Sequence, residues 1–311
     1  MPSTCQGRRA MEELEKYLKA GAVAAEVRES VQDVVEEGVK LIDICEWVER
    51  RIEKLGAKPA FPCNVSVNEV AAHYTSPPGD EHVVPAKALV KVDIGAHVDG
   101  YIADTAITIC LDPAKERLVR AAEKAVEAAL KEAKPGLRIS RLSSVIERTI
   151  KAHGCKPISN LTGHSIARYT IHAGVTIPNV TGICRFSLEK LRPGHAYAIE
   201  PFVTEPWANG TVVEIPLTTI FRLARPAVKD KEANKLLRLI HDEFRTLPFA
   251  ERWLWRLVPQ AKYERAWRRL LAEGAVVGYP VFVEKSGCYV AQFEHTILVL
   301  NDKCVITTLL T

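Results

Sequence analysis

Residues 90–109, VKVDIGAHVDGYIADTAITI, constrain the fold more than any other stretch of this chain. Asp99-Gly100 is a strong two-residue turn signal, because glycine tolerates the positive φ of a type I′ turn and β-forming residues flank it on both sides. The turn sets the register. Val98 faces Tyr101, so Gly95 faces Asp104, and Asp93, two residues along from Gly95, points to the same face. The two carboxylates are then diagonal neighbours, about 7–8 Å apart at Cα and closer at their tips, a reach suited to two adjacent hard or borderline cations. A four-residue loop preserves this parity. An aspartate pair in a hairpin ordinarily faces solvent. Here Val90, Val92, Ile94, Val98, Ile102, Ile107 and Ile109 make both strands largely apolar, which predicts a buried sheet where unpaired carboxylates are costly.

A chain of 311 residues, 47% hydrophobic and 26% charged, can bury a substantial core, and we expect one α/β domain with an insertion. No apolar run reaches the ~18 residues of a membrane span, and MPSTCQGRRA lacks the apolar centre of a signal peptide, so a cytoplasmic protein is expected. The eight cysteines form no C-x-x-C pair, so neither a zinc ribbon nor a redox motif is signalled.

Residues 11–55 carry apolar stripes at helical spacing, punctuated by Gly38 and Gly56, and predict two or three helices. Residues 57–75 read as a short extended segment before a Pro-Pro-Gly-Asp turn at 77–80. Helices are expected at 113–134 and 140–152, the first with proline in its opening turn and Pro135-Gly136 at its end. Residues 160–183 are too rich in Gly, Thr, Asn and His for a plain helix and read as loop and strand. We expect a strand at 197–204, paired after an Asn209-Gly210 turn with a second at 211–220. A helical, Arg- and Trp-rich stretch follows at 222–273, and the chain returns to strands at its end.

Three further side chains are odd locally and are candidate metal ligands: His164 in TGHSI, Glu200 in YAIEPF and Glu294 in AQFEHTI. Singly, each has an ordinary explanation as a solvent-facing glutamate or a hydrogen-bonded loop histidine. With Asp93 and Asp104 they make four carboxylates and one imidazole, an oxygen-rich set able to hold two divalent ions that activate a water and polarise a carbonyl.

With these residues assembled, the chain resembles the type 2 methionine aminopeptidases, of the short archaeal form. The matching stretches are FPCNVSVNEVAAHYTSPPGD, VDIGAHVDGYIADTAIT, GHSIARYTIHAGVTIPNV, YAIEPF, TLPFAERWL and AQFEHTI, six in the right order over nearly the whole chain. The resemblance implies a pita-bread α/β fold, in which two similar halves build a curved antiparallel sheet with helices outside and metals in the concave face. It implies a single domain over 1–311 with a helical insertion at about 217–274. By resemblance Asp104 and Glu294 bridge two divalent ions (Co, Mn, Fe or Zn), Asp93 completes one site, and His164 with Glu200 the other. Glu200 doubles as general base. His73 is placed at the scissile carbonyl or the oxyanion, and His172 at the substrate backbone. Phe61 and Ile171 line the methionine pocket. The implied activity is removal of the initiator methionine from nascent chains, with small second residues preferred, by a cytoplasmic monomer. One departure is that members with a longer N-terminal tail carry a further pocket histidine after the AIE strand, whereas TVVEIPLTT offers none.

Two readings from other classes remain. A catalytically dead relative acting as a nucleic-acid or ribosome-binding protein is expected to have lost ligands, and all five types are present. Proline dipeptidases and aminopeptidases acting before proline use the same ligand types, but generally carry a sizeable domain ahead of the catalytic one, whereas 92 residues precede Asp93 here. The insertion is also basic, with 13 Lys or Arg against 7 Asp or Glu between 221 and 274, densest at Arg265, Arg268 and Arg269. Ordinary solvated helix faces explain this, as a Glu264–Arg268 pair suggests; docking on ribosomal RNA is the functional alternative.

Overall fold

The computed structural model describes residues 4–184, 187–255 and 257–310. The N-terminal half opens with α1 (Thr4–Ser30), a 3₁₀ turn (Val31–Asp33) and α2 (Leu41–Lys54). Gly38 and Gly56, at φ 83° and 81°, supply the left-handed backbone at the breaks. Along α2 the apolar residues Ile44, Val48 and Ile52 recur at four-residue spacing and are 0–1% exposed. Burial of each such side chain stabilises by about 1.5–3 kcal/mol.

Three short strands follow, β1 (Lys58–Pro59), β2 (Asn64–Val67) and β3 (Val70–Ala72), then the long hairpin β4 (Leu89–Val98) and β5 (Tyr101–Cys110). The hairpin has the expected register: Val98 pairs with Tyr101, Gly95 with Asp104 and Asp93 with Ala106. Asp99 and Gly100 both have positive φ, 51° and 84°, as a type I′ turn requires. Alternate residues of β4 and β5 pack under α1 and α2 in one core with Val23, Val27 and Ile44, so the sheet is buried as its apolar strands predict.

The second half repeats the plan with α3 (Glu116–Glu132) and α4 (Ile139–Ala152), whose apolar stripe of Leu118, Ala122, Ala125, Val126 and Ala129 covers a second sheet. The sheets of this half draw on β6 (Lys156–Pro157), β7 (Thr162–Ile166), β8 (Thr176–Pro178), the single turn α5 (Thr181–Cys184), β9 (Ala196–Ile199) and β10 (Phe202–Thr204). The strand expected at 197–204 is therefore broken in two at Glu200-Pro201. Proline has no N–H to continue a ladder, and the chain changes partners there: β9 pairs with β7, while β10 pairs with β6.

Nor does the next strand, β11 (Val212–Leu223), return to that segment after the Asn209-Gly210 turn. Beyond β12 (Phe249–Ala250) lies β13 (Val276–Glu284), and β11 pairs with both, from Val212↔Glu284 to Leu223↔Val276 along β13. Because β11 runs to Leu223, the helices placed from about 217 start only at α6 (Lys231–Phe244), where Asp230 caps the N–H groups of Glu232 and Ala233. With α7 (Glu251–Leu254) and α8 (Gln260–Ala272) they enclose their own core of Leu237, Ile240, Phe249, Tyr263, Trp267 and Leu270. The chain ends in β14 (Val290–Gln292), β15 (His295–Val299) and β16 (Cys304–Ile306), with β14 on β10 and β15 on β9. Among the described residues, no helix is long and apolar enough to cross a membrane.

Candidate metal centre and substrate cavity

The two halves are stitched where the acids lie. The Thr296 hydroxyl accepts from Asp104 N–H and donates to Asp104 C=O, both at 2.8 Å, and the Thr108 and Gln292 pair forms the same kind of double contact. Glu294, between β14 and β15, exchanges backbone hydrogen bonds with Ala106 of β5, and the Thr105 hydroxyl donates to its carbonyl at 2.7 Å. These contacts bring a C-terminal glutamate beside an aspartate 190 positions earlier in the chain.

Asp104, His164 and Glu294 each offer a ligand atom within 4.8 Å of the others, and all three are buried. His164, on β7, places Nε2 3.6 Å from Asp104 Oδ2 and 3.4 Å from Glu200 Oε1. Glu200 reaches this point because the Pro201 break leaves it between two strands. Asp93, on the same face of the hairpin as Asp104, accepts from Asn64 Nδ2 at 3.3 Å. All five side chains line one cavity of about 350 Å³, and the structure also brings His73, His172, Phe61 and Ile171 to its wall.

The electrostatics are those of a crowd of acids without a counter-charge. Burial pushes Asp93 up to about 7. Burial and then the Asp93 charge raise Asp104 well above the usual carboxylate range, while burial and then neighbouring acids do the same for Glu200 and Glu294. No Lys or Arg is among the described residues of the wall. Asp93 Oδ1, Asp104 Oδ1, Glu294 Oε1 and His164 Nδ1 are buried with no hydrogen-bond partner. A buried polar atom left in this state costs about 1–3 kcal/mol, and more when charged, and hard or borderline cations satisfy such oxygens. The donor set therefore fits divalent metal ions, and burial, which holds His164 down at about 3, keeps its imidazole in the neutral form a ligand needs.

The walls of the cavity are specific. Phe61 lies across β4 because Gly95 has no side chain; a Cβ there would sit 2.2 Å from the Phe61 ring. His73 has φ 66°, an uncommon backbone for a non-glycine residue, and its ring packs 4.9 Å from Phe282 and 5.6 Å from Tyr279. His73 Nδ1 lies 3.2 Å from the Pro280 carbonyl, which only accepts, so the proton is on Nδ1 and Nε2 is bare in the neutral ring. Burial, then His172, holds this ring down at about 4. His172 is exposed to the cavity and stands edge-on to His164 at 4.4 Å. Sequence reasoning missed Asn64, Gln292, Tyr279 and Phe282. Asn64 and Gln292 brace Asp93 and Glu294, the latter at 3.2 Å, and Tyr279 and Phe282 hold the histidines; an aromatic on each side of Pro280 within a strand was the signal for the last two.

Comparison with known proteins agrees with this geometry. The profile of metallopeptidase family M24 matches residues 15–301. A methionine aminopeptidase of Thermococcus onnurineus is 45% identical over 299 residues, covering 96% of this chain and 100% of the relative. Among solved structures, a thermophilic Arx1 superposes with a TM-score of 0.81 at 20% identity, covering 96% of this chain and 91% of the other. The crystal structure of methionine aminopeptidase from Thermotoga maritima superposes at 0.68 with 27% identity, covering 96% and 97%. The curled antiparallel sheet with outer helices is the pita-bread fold, and the chain belongs to metallopeptidase family M24 and, within it, to the methionine aminopeptidases.

Proposed function

We propose that this chain removes the initiator methionine from nascent proteins, by hydrolysis of the first peptide bond, with small second residues preferred because a bulky side chain would crowd the wall. The observation that carries this reading is the meeting of five ligand-type side chains, four of them with unpartnered buried atoms, in a cavity that also has the apolar walls Phe61 and Ile171. Such a wall suits a methionine side chain. In this reading Asp93, Asp104, His164, Glu200 and Glu294 would hold two divalent ions (Co, Mn, Fe or Zn), with Asp104 and Glu294 common to both. Ions held there supply Lewis acidity, which lowers the pKa of water and polarises the scissile carbonyl.

The remaining steps fall to side chains. Glu200, raised by its buried setting, accepts the proton of the attacking water and returns it to the leaving amine. His172 projects into the cavity and contacts the substrate backbone. His73 stabilises the developing oxyanion by taking a solvent proton on its bare Nε2, which negative charge beside the ring favours, and returns it to solvent when the tetrahedral intermediate collapses. The resemblance also carries a cytoplasmic, monomeric enzyme. Metal-free protein reloaded with each ion in turn should hydrolyse Met-Ala-Ser and leave Xaa-Pro peptides intact. Cleavage of Xaa-Pro peptides alone, or of neither with any ion, overturns the reading.

A second reading concerns the insertion. Arg265, Arg268 and Arg269 are exposed on one face of α8, opposite the buried Tyr263, Ala266, Trp267 and Leu270, while Arg256 lies outside the described residues. Their partners are loose, with Glu264 at 3.4 Å from Arg268 and Glu273 at 3.8 Å from Arg269. Such exposed pairs contribute little and leave the arginines available for ribosomal RNA. If about three phosphates are neutralised, log affinity in ribosome co-sedimentation should fall with log salt at a slope near −2 to −3. Equal pelleting of wild type and a triple Arg→Glu variant at these positions removes the idea.

A further inference from the structure

Asn64 is 4% exposed and sits on β2 directly opposite Asp93 in the strand register. Its Nδ2 donates to Asp93 Oδ2 at 3.3 Å, and that contact fixes the orientation of the amide, since turning it over would set oxygen against carboxylate oxygen. The amide oxygen, Oδ1, is left buried with no partner. Asn64 also lines the cavity. Among the described residues of that wall, every other buried side-chain atom without a partner belongs to the candidate metal ligands Asp93, Asp104, His164 or Glu294. Asn160, the other asparagine of the wall, spends its amide on both backbone groups of Val212, at 2.8 and 2.9 Å. Asn64 Oδ1 is thus an acceptor held ready for a donor that the protein does not supply, and leaving it so has a cost.

We infer that this donor is the substrate's free α-amino group, and that Asn64 Oδ1 reads it. The inference rests on the proposed function and extends it to the question of how the cavity distinguishes a chain terminus from an internal peptide. An α-amine offers more than one N–H donor, and beside Asp93, whose Oδ2 already accepts from Asn64 Nδ2, one of them meets the amide oxygen of Asn64. An internal amide, or an acetylated terminus, has one N–H and a carbonyl that would face these oxygens and be repelled. Asn64 is therefore a substrate-binding residue at the amino end of the cavity, as well as a brace for Asp93.

The test separates these two roles by changing the ligand as well as the protein. Binding of methionine and of its desamino analogue, 4-(methylthio)butanoate, is measured by calorimetry on metal-loaded wild type, Asn64→Ala and Asn64→Ser, with metal content and melting temperature recorded for each. Loss of one hydrogen bond to a charged donor predicts methionine binding weakened about 10- to 100-fold in both variants, with binding of the desamino acid changed less than about twofold. The serine variant guards against a packing defect from alanine. Equal weakening of both ligands, or unchanged binding of methionine, overturns the assignment and leaves Asn64 as a brace. Failure of wild type to cleave Met-Ala-Ser defeats the functional reading and the Asn64 assignment with it; cleavage by wild type without ligand discrimination in the variants defeats the assignment alone.

Discussion

Cys63 and Asn64 are neighbours in the chain, yet they belong to two buried charge clusters built in opposite ways. Cys63 N–H donates at 3.1 Å to Glu49, which also accepts from Trp253 Nε1 at 2.9 Å and is paired with Arg252. Arg252 goes on to donate to Thr75 Oγ1 at 2.9 Å and to the Ser76 carbonyl at 3.0 Å. This cluster carries its own counter-charge and ties the inserted helix α7 to α2. One residue on, Asn64 leads to Asp93, Asp104, Glu200 and Glu294, where acids face acids and several oxygens have no partner. The first cluster has its charges paired by protein alone, although Arg252 Nε has no partner. The second is complete only with cations, and the sign of its missing charge identifies what it takes.

The comparison breaks first at Asp104, where the largest effect is expected. Asp104→Ala or Glu294→Ala should abolish hydrolysis while circular dichroism and the melting of the metal-free protein stay near wild type, because each change removes a buried acid that has no cationic counter-charge and one oxygen without a partner. More than a tenth of wild-type turnover at equal metal loading would count against the bridging assignment. Arg252→Met should do the reverse. It strands Glu49 as a buried unpaired charge and should lower stability by about 3–5 kcal/mol in denaturant unfolding, with metal affinity little changed in the folded fraction. If Asp104→Ala destabilised the metal-free chain as much as Arg252→Met, the two clusters would not differ in kind. His73→Ala should reduce kcat about 10²–10³-fold with a smaller change in KM, as for loss of one oxyanion donor. A pure rise in KM would make His73 a binding contact only.

A smaller effect sharpens the contrast through pH. Asp93 titrates at about 7 in the folded chain against 3.8 ordinarily, so the folded metal-free state binds the proton more tightly than the unfolded one. The stability from this group is fully present below about pH 4 and is lost as pH rises through about 7, at no more than ~1.4 kcal/mol per pH unit. Thermal melts of Asp93→Asn should show a shallower fall than wild type across that window, and metal loading should flatten the wild-type curve. Identical slopes in wild type and variant would mean that Asp93 is ionised without cost.

Much of the site was legible because it depends on local parity. A two-residue turn fixed Asp93 and Asp104 to one face, and the observed register agrees pair for pair. Glu200, His164 and Glu294 were found from their odd settings and from family resemblance, since no local pattern tells which strands will meet. The errors have the same origin. The path of β11 was misread because its pairing with β13 closes across the insertion, and sequence neighbours give no sign of so distant a partner. The break at Pro201 was visible in the missing N–H, but its effect, turning Glu200 inward, needed the second sheet. The Glu49–Arg252 pair joins residues 203 positions apart, and nothing in the local pattern of either helix marks it.

The most direct measurement is calorimetric titration of metal-free protein with Mn²⁺ or Co²⁺ near pH 6, in two buffers of different ionisation enthalpy. Two ions per chain should bind with release of protons, because acids held high by burial must give them up to become ligands, and Asp104→Asn should lose both ions. One ion or none, binding without proton release, or full binding by Asp104→Asn would contradict a paired-cation centre built on these acids.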